Sequence, residues 1–325
     1  MSEAVVSTRI RLARNLRDYP FPIRLPADKA REIADKVEEA LKGCDIRFHR
    51  IDLDKVSDAI RVAMIERHLV SPDFISAKEG RAVFLSDDNT VSIMVNEEDH
   101  IRLQVIKDGF EPDEAYALAD KVDNILSKKL NFAFHEQLGY LTQCPTNLGT
   151  GMRASVMLHL PALEISGAVY RIGANLSKLG LTMRGLYGES TKPDGAFFQL
   201  SNQVTLGISE KAAIDNLRNI TTQLITQEMR AREPMMNDIE AQDKIHRALG
   251  LLKTARLMDH SEAMRLLSLV RLGVSSKLLE TLSSDSIDKL IVEIQPASIM
   301  TRYGDTMTPR DRDIKRAEII RERFE

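Results

Sequence analysis

Tryptophan is absent from the 325-residue chain, and aromatic residues make up only 5% of it, so the core must be built from Leu, Ile, Val, Met and Ala. Cysteine occurs twice, at Cys44 and Cys144, which excludes a disulfide framework and fits a reducing compartment. No run approaches the roughly 18 apolar residues of a membrane span. The first residues, MSEAVVSTRI, lack the apolar stretch of a secretory signal, and the expectation is a cytoplasmic protein. An excess of one charge is missing too: 45 Lys+Arg against 48 Asp+Glu leaves −3. That balance excludes a broad nucleic-acid coat or a polybasic membrane binder, but not a local basic site. Common nucleotide and metal signatures are also lacking. There is no GxxxxGK followed by Ser or Thr, and no HRDxxxxN. Gly149-Thr-Gly151-Met-Arg-Ala154 matches GxGxxA without a clean strand before it. His135-Glu136 lacks the second histidine of a zinc helix, and no cluster has zinc spacing, so no resident metal is assigned.

What is present divides in two. The length suggests two domains. Residues 1–230 mix strand and helix signals. Ala30, Ile33, Ala34, Val37 and Leu41 recur at helical steps within 26–43, with Gly43 as the stop. Residues 55–68 and 112–130 read as further helices. Strands are expected at 81–86 and 90–95, joined by the turn 87–89, and at 101–106. Later strands fall near 139–143, 153–159, 180–186 and 196–201, with a helix at 162–178 and another from Ser209 to about 230. Hairpins alternating with helices predict an α+β fold with a mainly antiparallel sheet flanked by helices. Residues 231–325 show almost no strand signal. Helices near 238–257, 261–272, 275–283, 285–294 and 311–324 make an all-helical C-terminal domain.

Several short stretches combine chemistry with pattern. Asn96-Glu97-Glu98-Asp99-His100-Ile101-Arg102 follows an apolar strand. Three consecutive acids cannot all face a core, so the stretch is either a solvated turn or a carboxylate pair for a guanidinium, whose planar fork matches a carboxylate bidentately. In Ser7-Thr8-Arg9-Ile10-Arg11, a strand puts Arg9 and Arg11 on one face, as an ion-pair rim or as a clamp for a triphosphate. Arg153-Ala154-Ser155-Val156-Met157 sets an arginine in an apolar strand. Arg184-Gly185-Leu186-Tyr187-Gly188-Glu189 sets an arginine and a glutamate around a glycine turn. Cys144, in Thr142-Gln-Cys-Pro-Thr, is an inert thiol or, beside arginines, a thiolate. Arginines 9, 11, 102, 153 and 184 could together ring a triphosphate, and Glu97, Glu98, Glu189 and Cys144 could hold a cationic acceptor. Phosphoryl transfer needs chiefly positioning and charge stabilisation, which arginines and Mg²⁺ supply without a P-loop.

In order, STRIR, NEEDHIR, the Cys-Pro-Thr-Asn loop, RASVM and RGLYGE resemble the signature motifs of the guanidino (phosphagen) kinases over roughly residues 5–230. Two features are similar to a bacterial branch that phosphorylates arginine in proteins. One is the lack of the helical N-terminal domain of the animal enzymes, only six residues preceding the STR motif. The other is the helical extension, where Arg312-Asp313-Ile-Lys-Arg316-Ala317 fits the branch's RDxxRA motif, associated with an allosteric phosphoarginine pocket. The short extension that precedes the STR strand in this branch is nearly absent here, so the chain reads as trimmed. The resemblance implies ATP contacts at Ser7, Thr8, Arg9, Ile10, Arg11, Arg102, 153–157 and 184–189, with His68 as a further contact. It implies Glu98, with Glu97 beside it, as base or guanidinium-orienting acid, Cys144 as a thiolate near the acceptor, and Glu189 as a second carboxylate. ATP and Mg²⁺ would be required. Implied partners are protein substrates with accessible arginines, a zinc-containing activator protein, a stress-response repressor and an unfoldase–protease that reads the mark. A homodimer is expected, with no direct nucleic acid or membrane partner. The rival expectation is a kinase for free arginine or another small guanidino compound.

Overall fold

A computed structural model describes residues 3–77, 79–185 and 195–325. In chain order the elements begin with β1 (Val5–Arg14), α1 (Ala27–Leu41), β2 (Phe48–Asp52), α2 (Asp58–Glu66), β3 (Ala82–Ser86), β4 (Val91–Val95) and β5 (Ile101–Asp108). Next come α3 (Pro112–Ser127), β6 (Phe134–His135), β7 (Gly139–Tyr140), β8 (Met152–His159), α4 (Pro161–Ile165), α5 (Ala168–Leu176), β9 (Leu181–Gly185) and β10 (Phe197–Asn202). The rest is helical: α6 (Glu210–Met236), α7 (Ile239–Thr254), α8 (His260–Ser275), α9 (Ser284–Glu293), α10 (Pro296–Tyr303) and α11 (Pro309–Phe324). The expected class is observed, a mainly antiparallel sheet with flanking helices and an all-helical C-terminal region.

The chain forms two compact units. One comprises Ser7–Val156 and Ser201–Asn219; the other comprises Met1–Val6, Met157–Leu200 and Ile220–Glu325. In the first, the strands run in the order β2-β3-β4-β5-β1-β8. The pairs β2–β3, β3–β4, β4–β5 and β5–β1 are antiparallel. Both faces of β3 and β4 are covered, and all ten of their residues are buried. Helix α1 buries Ala30, Ile33, Ala34, Val37 and Leu41, the stripe its spacing predicts. A second cluster joins Leu53, Met64, Phe74, Val83 and Met94, each fully buried large side chain contributing about 1.5–3 kcal/mol.

The second unit packs α7, α8, α9 and α11 around Ile245, Leu252, Leu267, Val270, Ile287 and Ile320. A buried polar chain runs beside that core. Glu228 accepts from the amides of Ala162 and Leu163 at the start of α4, at 3.1 and 3.0 Å. Arg232 donates to Glu228 at 2.7 Å, to Ser275 Oγ at 2.8 Å and to the His159 carbonyl at 3.1 Å. Buried charges persist only when partnered in this way.

Some expectations need correction. Strand β2 was not anticipated, because Phe48-His-Arg-Ile-Asp52 is a half-exposed polar edge without a clean alternation. The helix expected over 162–178 breaks at Gly167, whose φ of +68° divides α4 from α5. Residues 275–283 are not a helix. Instead α8 continues through Gly273 to Ser275. That glycine is a packing requirement rather than a stop, since a Cβ there would lie 2.6 Å from Ile245 Cγ2. Pro296 starts a helix, α10, at its first turn instead of ending one.

Candidate active site

The site in the first unit is assembled by strand register. Along β1, Thr8, Ile10 and Leu12 are buried while Ser7, Arg9 and Arg11 are half-buried on the opposite face. Arg11 stands opposite Gln104 of β5, and Arg102 lies two residues from Gln104, so Arg9, Arg11 and Arg102 share one face. Arg9 Nε donates to Ser155 Oγ of β8 at 3.4 Å, which brings Ser155, and with it Arg153, to the same face. Thr8 turns the other way and ties the 109–111 corner, donating to the Gly109 carbonyl at 2.7 Å and accepting from the Glu111 amide at 3.0 Å. His68, at a φ of +59°, borders the face, since its carbonyl accepts from Gln104 Nε2 at 2.8 Å.

Four like charges crowd together here. Burial first, then Arg102 and Arg153, lowers the Arg9 guanidinium to about 10. Arg11 is lowered well below its usual value by burial and by Arg9, Arg102 and Arg153. Among the described residues its buried Nε has no hydrogen-bond partner, an orphan donor of the kind that needs an anion. Burial and then Arg9 hold the His68 imidazole down at about 4, so it is neutral. A polyanion fits this face.

The acidic stretch forms a tight loop at the end of β4. Asn96 takes a φ of +64°, its amide donates to the His100 carbonyl at 2.9 Å, and its side chain donates to the carbonyls of Ala30 and Gly80. Asparagine tolerates this left-handed conformation better than most residues. Two of the three acids are buried after all, each with partners. Glu97 pairs with Arg102 and accepts from Ser71 Oγ. Its burial is outweighed by Arg102, Ser71 and Arg11, which hold it below the ordinary carboxylate range. Asp99, 3% exposed, accepts from Asn15 Nδ2 at 2.6 Å and from the Gln143 amide at 2.8 Å. Glu98 alone stays half-buried without an ion-pair partner among the described residues. Burial, then Asp99, then Glu97 raise it, against the lowering influence of Arg102 and Cys144.

Cys144 meets Glu98 because Asp99 tethers its loop. Asn147 Nδ2 donates to Glu98 Oε2 at 3.3 Å, and Cys144 Sγ lies 3.0 Å from Thr146 Oγ1. Thr205 Oγ1 holds the loop from behind through the carbonyls of Thr146 and Leu148. Sequence reasoning gave no role to Asp99 or Asn147, which lie in motifs already quoted, or to Asn15, which lies outside them. It also missed Arg14, which points off the arginine face. Arg14 pairs with Asp123 at 2.9 Å, donates to the Thr150 carbonyl at 3.0 Å and stacks 3.5 Å over Tyr140. An open cavity of about 570 Å³ adjoins Glu97, Glu98 and Arg102.

The remaining expected residues lie elsewhere. Ala154 and Val156 are buried strand residues of the first unit. Met157, Arg184 and Gly185 belong to the second unit. Leu186, Tyr187, Gly188 and Glu189 lie outside the described residues. On α11, Arg316 is 1% exposed and donates to the carbonyls of Ile294 and Met258 and to Asp313. Arg312 is half-buried and donates to the Met307 carbonyl, and Ala317 is buried. Among the described residues no group of three or more His, Cys, Asp or Glu side chains is placed to hold a metal, and no helix is long and apolar enough to cross a membrane.

Residues 31–231 match the family described as ATP:guanido phosphotransferase, C-terminal catalytic domain, and residues 238–325 match the protein-arginine kinase McsB C-terminal domain. The protein-arginine kinase of Caldanaerobacter subterraneus subsp. tengcongensis is 42% identical over 98% of this chain and 96% of its own length. That of Halothermothrix orenii is 43% identical over 99% and 93%. Among solved structures, a lombricine kinase superposes with a TM-score of 0.64 at 25% identity, covering 70% of this chain and 67% of its own. The chain belongs to the ATP:guanido phosphotransferase family, in the branch whose members are named protein-arginine kinases.

Proposed function

We propose that this protein transfers the γ-phosphoryl group of ATP to arginine side chains of proteins. The observation that carries the reading is the pairing of a crowded arginine face, with an orphan donor at Arg11 among the described residues, and a half-buried carboxyl at Glu98 that burial raises above the ordinary range. Arg9, Arg11, Arg102 and Arg153 clamp the phosphates, with Ser7, Ser155 and the neutral His68 at the border of the site. Met157 and Arg184–Glu189 are proposed as further nucleotide contacts, and Glu189 as a second acceptor carboxylate. Mg²⁺ would arrive on the phosphates of the nucleotide and would offset their charge. Glu98 accepts a proton from the incoming guanidinium, whose lone pairs are otherwise delocalised. The freed nitrogen forms a bond to the γ-phosphorus as the bond from that phosphorus to the ADP oxygen breaks. The arginines neutralise the charge gathering on ADP. Glu97, engaged with Arg102, orients rather than accepts the proton, and Cys144 borders the acceptor through Glu98.

We further propose that residues 1–230 act as the catalytic domain and 231–325 as a regulatory domain supporting a homodimer in the cytoplasm, where two free thiols are at home. Within it, the Arg312–Ala317 motif would take a phosphoarginine through Arg312, because Arg316 is spent on protein oxygens. The zinc-containing activator, the stress-response repressor and the unfoldase–protease are proposed partners, with degradation as the fate of the marked protein. Offering labelled ATP together with free L-arginine and an arginine-rich protein tests the central reading. Label on the protein is expected, and label on the free amino acid alone would overturn it.

A further inference from the structure

The cavity beside Glu98 holds more than a guanidino side chain needs, and apolar residues share its lining with charged ones. Its volume of about 570 Å³ falls in the range of roughly 300–1,000 Å³ that takes a drug-sized ligand. Pro22, Ile23 and Leu25 line it together with Asp73, Glu98 and Gln143. Ile23 is 79% exposed, the most exposed large hydrophobic side chain among the described residues. Water-facing isoleucine is ordinary when it is scattered, but here it stands in a concavity next to the proposed base.

The shelf is rigid. Pro22 opens a short 3₁₀ turn, with the Arg24 amide donating to the Phe21 carbonyl at 2.9 Å and the Leu25 amide donating to the Pro22 carbonyl at 3.1 Å. The Ile23 amide donates to Gln143 Oε1 at 3.2 Å. Asp99 in turn holds the Gln143 amide, so the shelf is pinned to the loop that carries Cys144. An apolar surface held still before its partner arrives binds at lower entropic cost.

Resting on the protein-arginine reading, we propose that Ile23 and its shelf receive the side chain flanking the acceptor arginine in an extended peptide segment, with preference for a bulky aliphatic residue. Charge complementarity selects this occupant. Arg81 donates to the carbonyls of Asp73 and Phe74, and Arg102 is paired with Glu97. Glu98 is left to attract the arginine, and Asp73 on the cavity wall disfavours an acidic flank. Free arginine has no flanking side chain and gains nothing from the shelf.

Two single-arginine peptides, identical except for Leu or Ser on both sides of the arginine, test this with the full chain, alongside free L-arginine. The native protein should favour the Leu-flanked peptide about 10-fold in kcat/KM, chiefly through KM. Ile23→Ser should bring that ratio to about 2 or less, and Ile23→Leu should keep it. An equal preference in Ile23→Ser and the native protein, or none in the native protein, would overturn the shelf alone. Phosphorylation of neither peptide while free arginine takes the label would overturn the protein-substrate reading and the shelf with it.

Discussion

Replacing Arg11 by Gln should make the ligand-free protein more stable and its nucleotide site worse. Burial, then Arg102 and Arg153, lowers the Arg9 guanidinium from its ordinary range to about 10. At about 1.4 kcal/mol for each pH unit of lowering, this is a cost of about 3–4 kcal/mol for keeping that one charge in place. A base whose pKa is depressed by folding is disfavoured as a cation in the folded state, so the cost is present at every pH below about 10. Arg11 is lowered too, by burial and by Arg9, Arg102 and Arg153. Removing its charge relieves Arg9, Arg102 and Arg153 and removes one buried cation, at the expense of a favourable neighbour of Glu97. The net expected gain is about 1–3 kcal/mol in a urea melt without ligand, a trade of function against stability. Nucleotide at 100 times its Kd should stabilise the native protein by about 2.7 kcal/mol, and MgADP or tripolyphosphate should do much less for Arg11→Gln. A ligand-free variant less stable than the native protein, or one with an undiminished nucleotide shift, would refute the anion clamp.

Two other substitutions probe the acidic loop and the buried polar chain. Asp99→Asn removes a charge that raises Glu98 while keeping an acceptor for Asn15 and the Gln143 amide. Because the base must be deprotonated to act, the acidic limb of kcat/KM should move to lower pH; an unmoved limb contradicts Glu98 as the group it reports. Arg232→Met leaves Glu228, 0% exposed, without its ion-pair partner at 2.7 Å. A loss of about 3–5 kcal/mol is expected in thermal or urea unfolding, and a loss under 1 kcal/mol would show that Glu228 takes up a proton or another partner at little cost.

Periodicity made the helices with clean apolar stripes legible, as in α1 with Ile33, Val37 and Leu41. The hairpin of β3 and β4 was legible from two apolar runs around a polar turn. What stayed hidden depended on partners distant in sequence. Nothing local to Phe48–Asp52 says that β3 will pair with it, and nothing local to Gly273 says that Ile245 will press against it. The candidate site followed the same division. Alternation alone put Arg9 and Arg11 on one face, and motif order brought Arg102 and Arg153 to them. The loop around Glu98 resisted, because three adjacent acids look alike in a sequence. Their separation into Glu97 with Arg102, Asp99 with Asn15 and Gln143, and Glu98 facing the cavity is a matter of tertiary partners.

The most direct test of the account is mass spectrometry, without acid at any step, of a mixed protein substrate incubated with MgATP and either the native chain or Glu98→Gln. Phosphate on arginine nitrogen is predicted with the native chain, and a 10²–10⁴-fold slower appearance of it with Glu98→Gln. Phosphate confined to Ser, Thr or Tyr, or arginine phosphorylation at an undiminished rate in Glu98→Gln, would contradict the account.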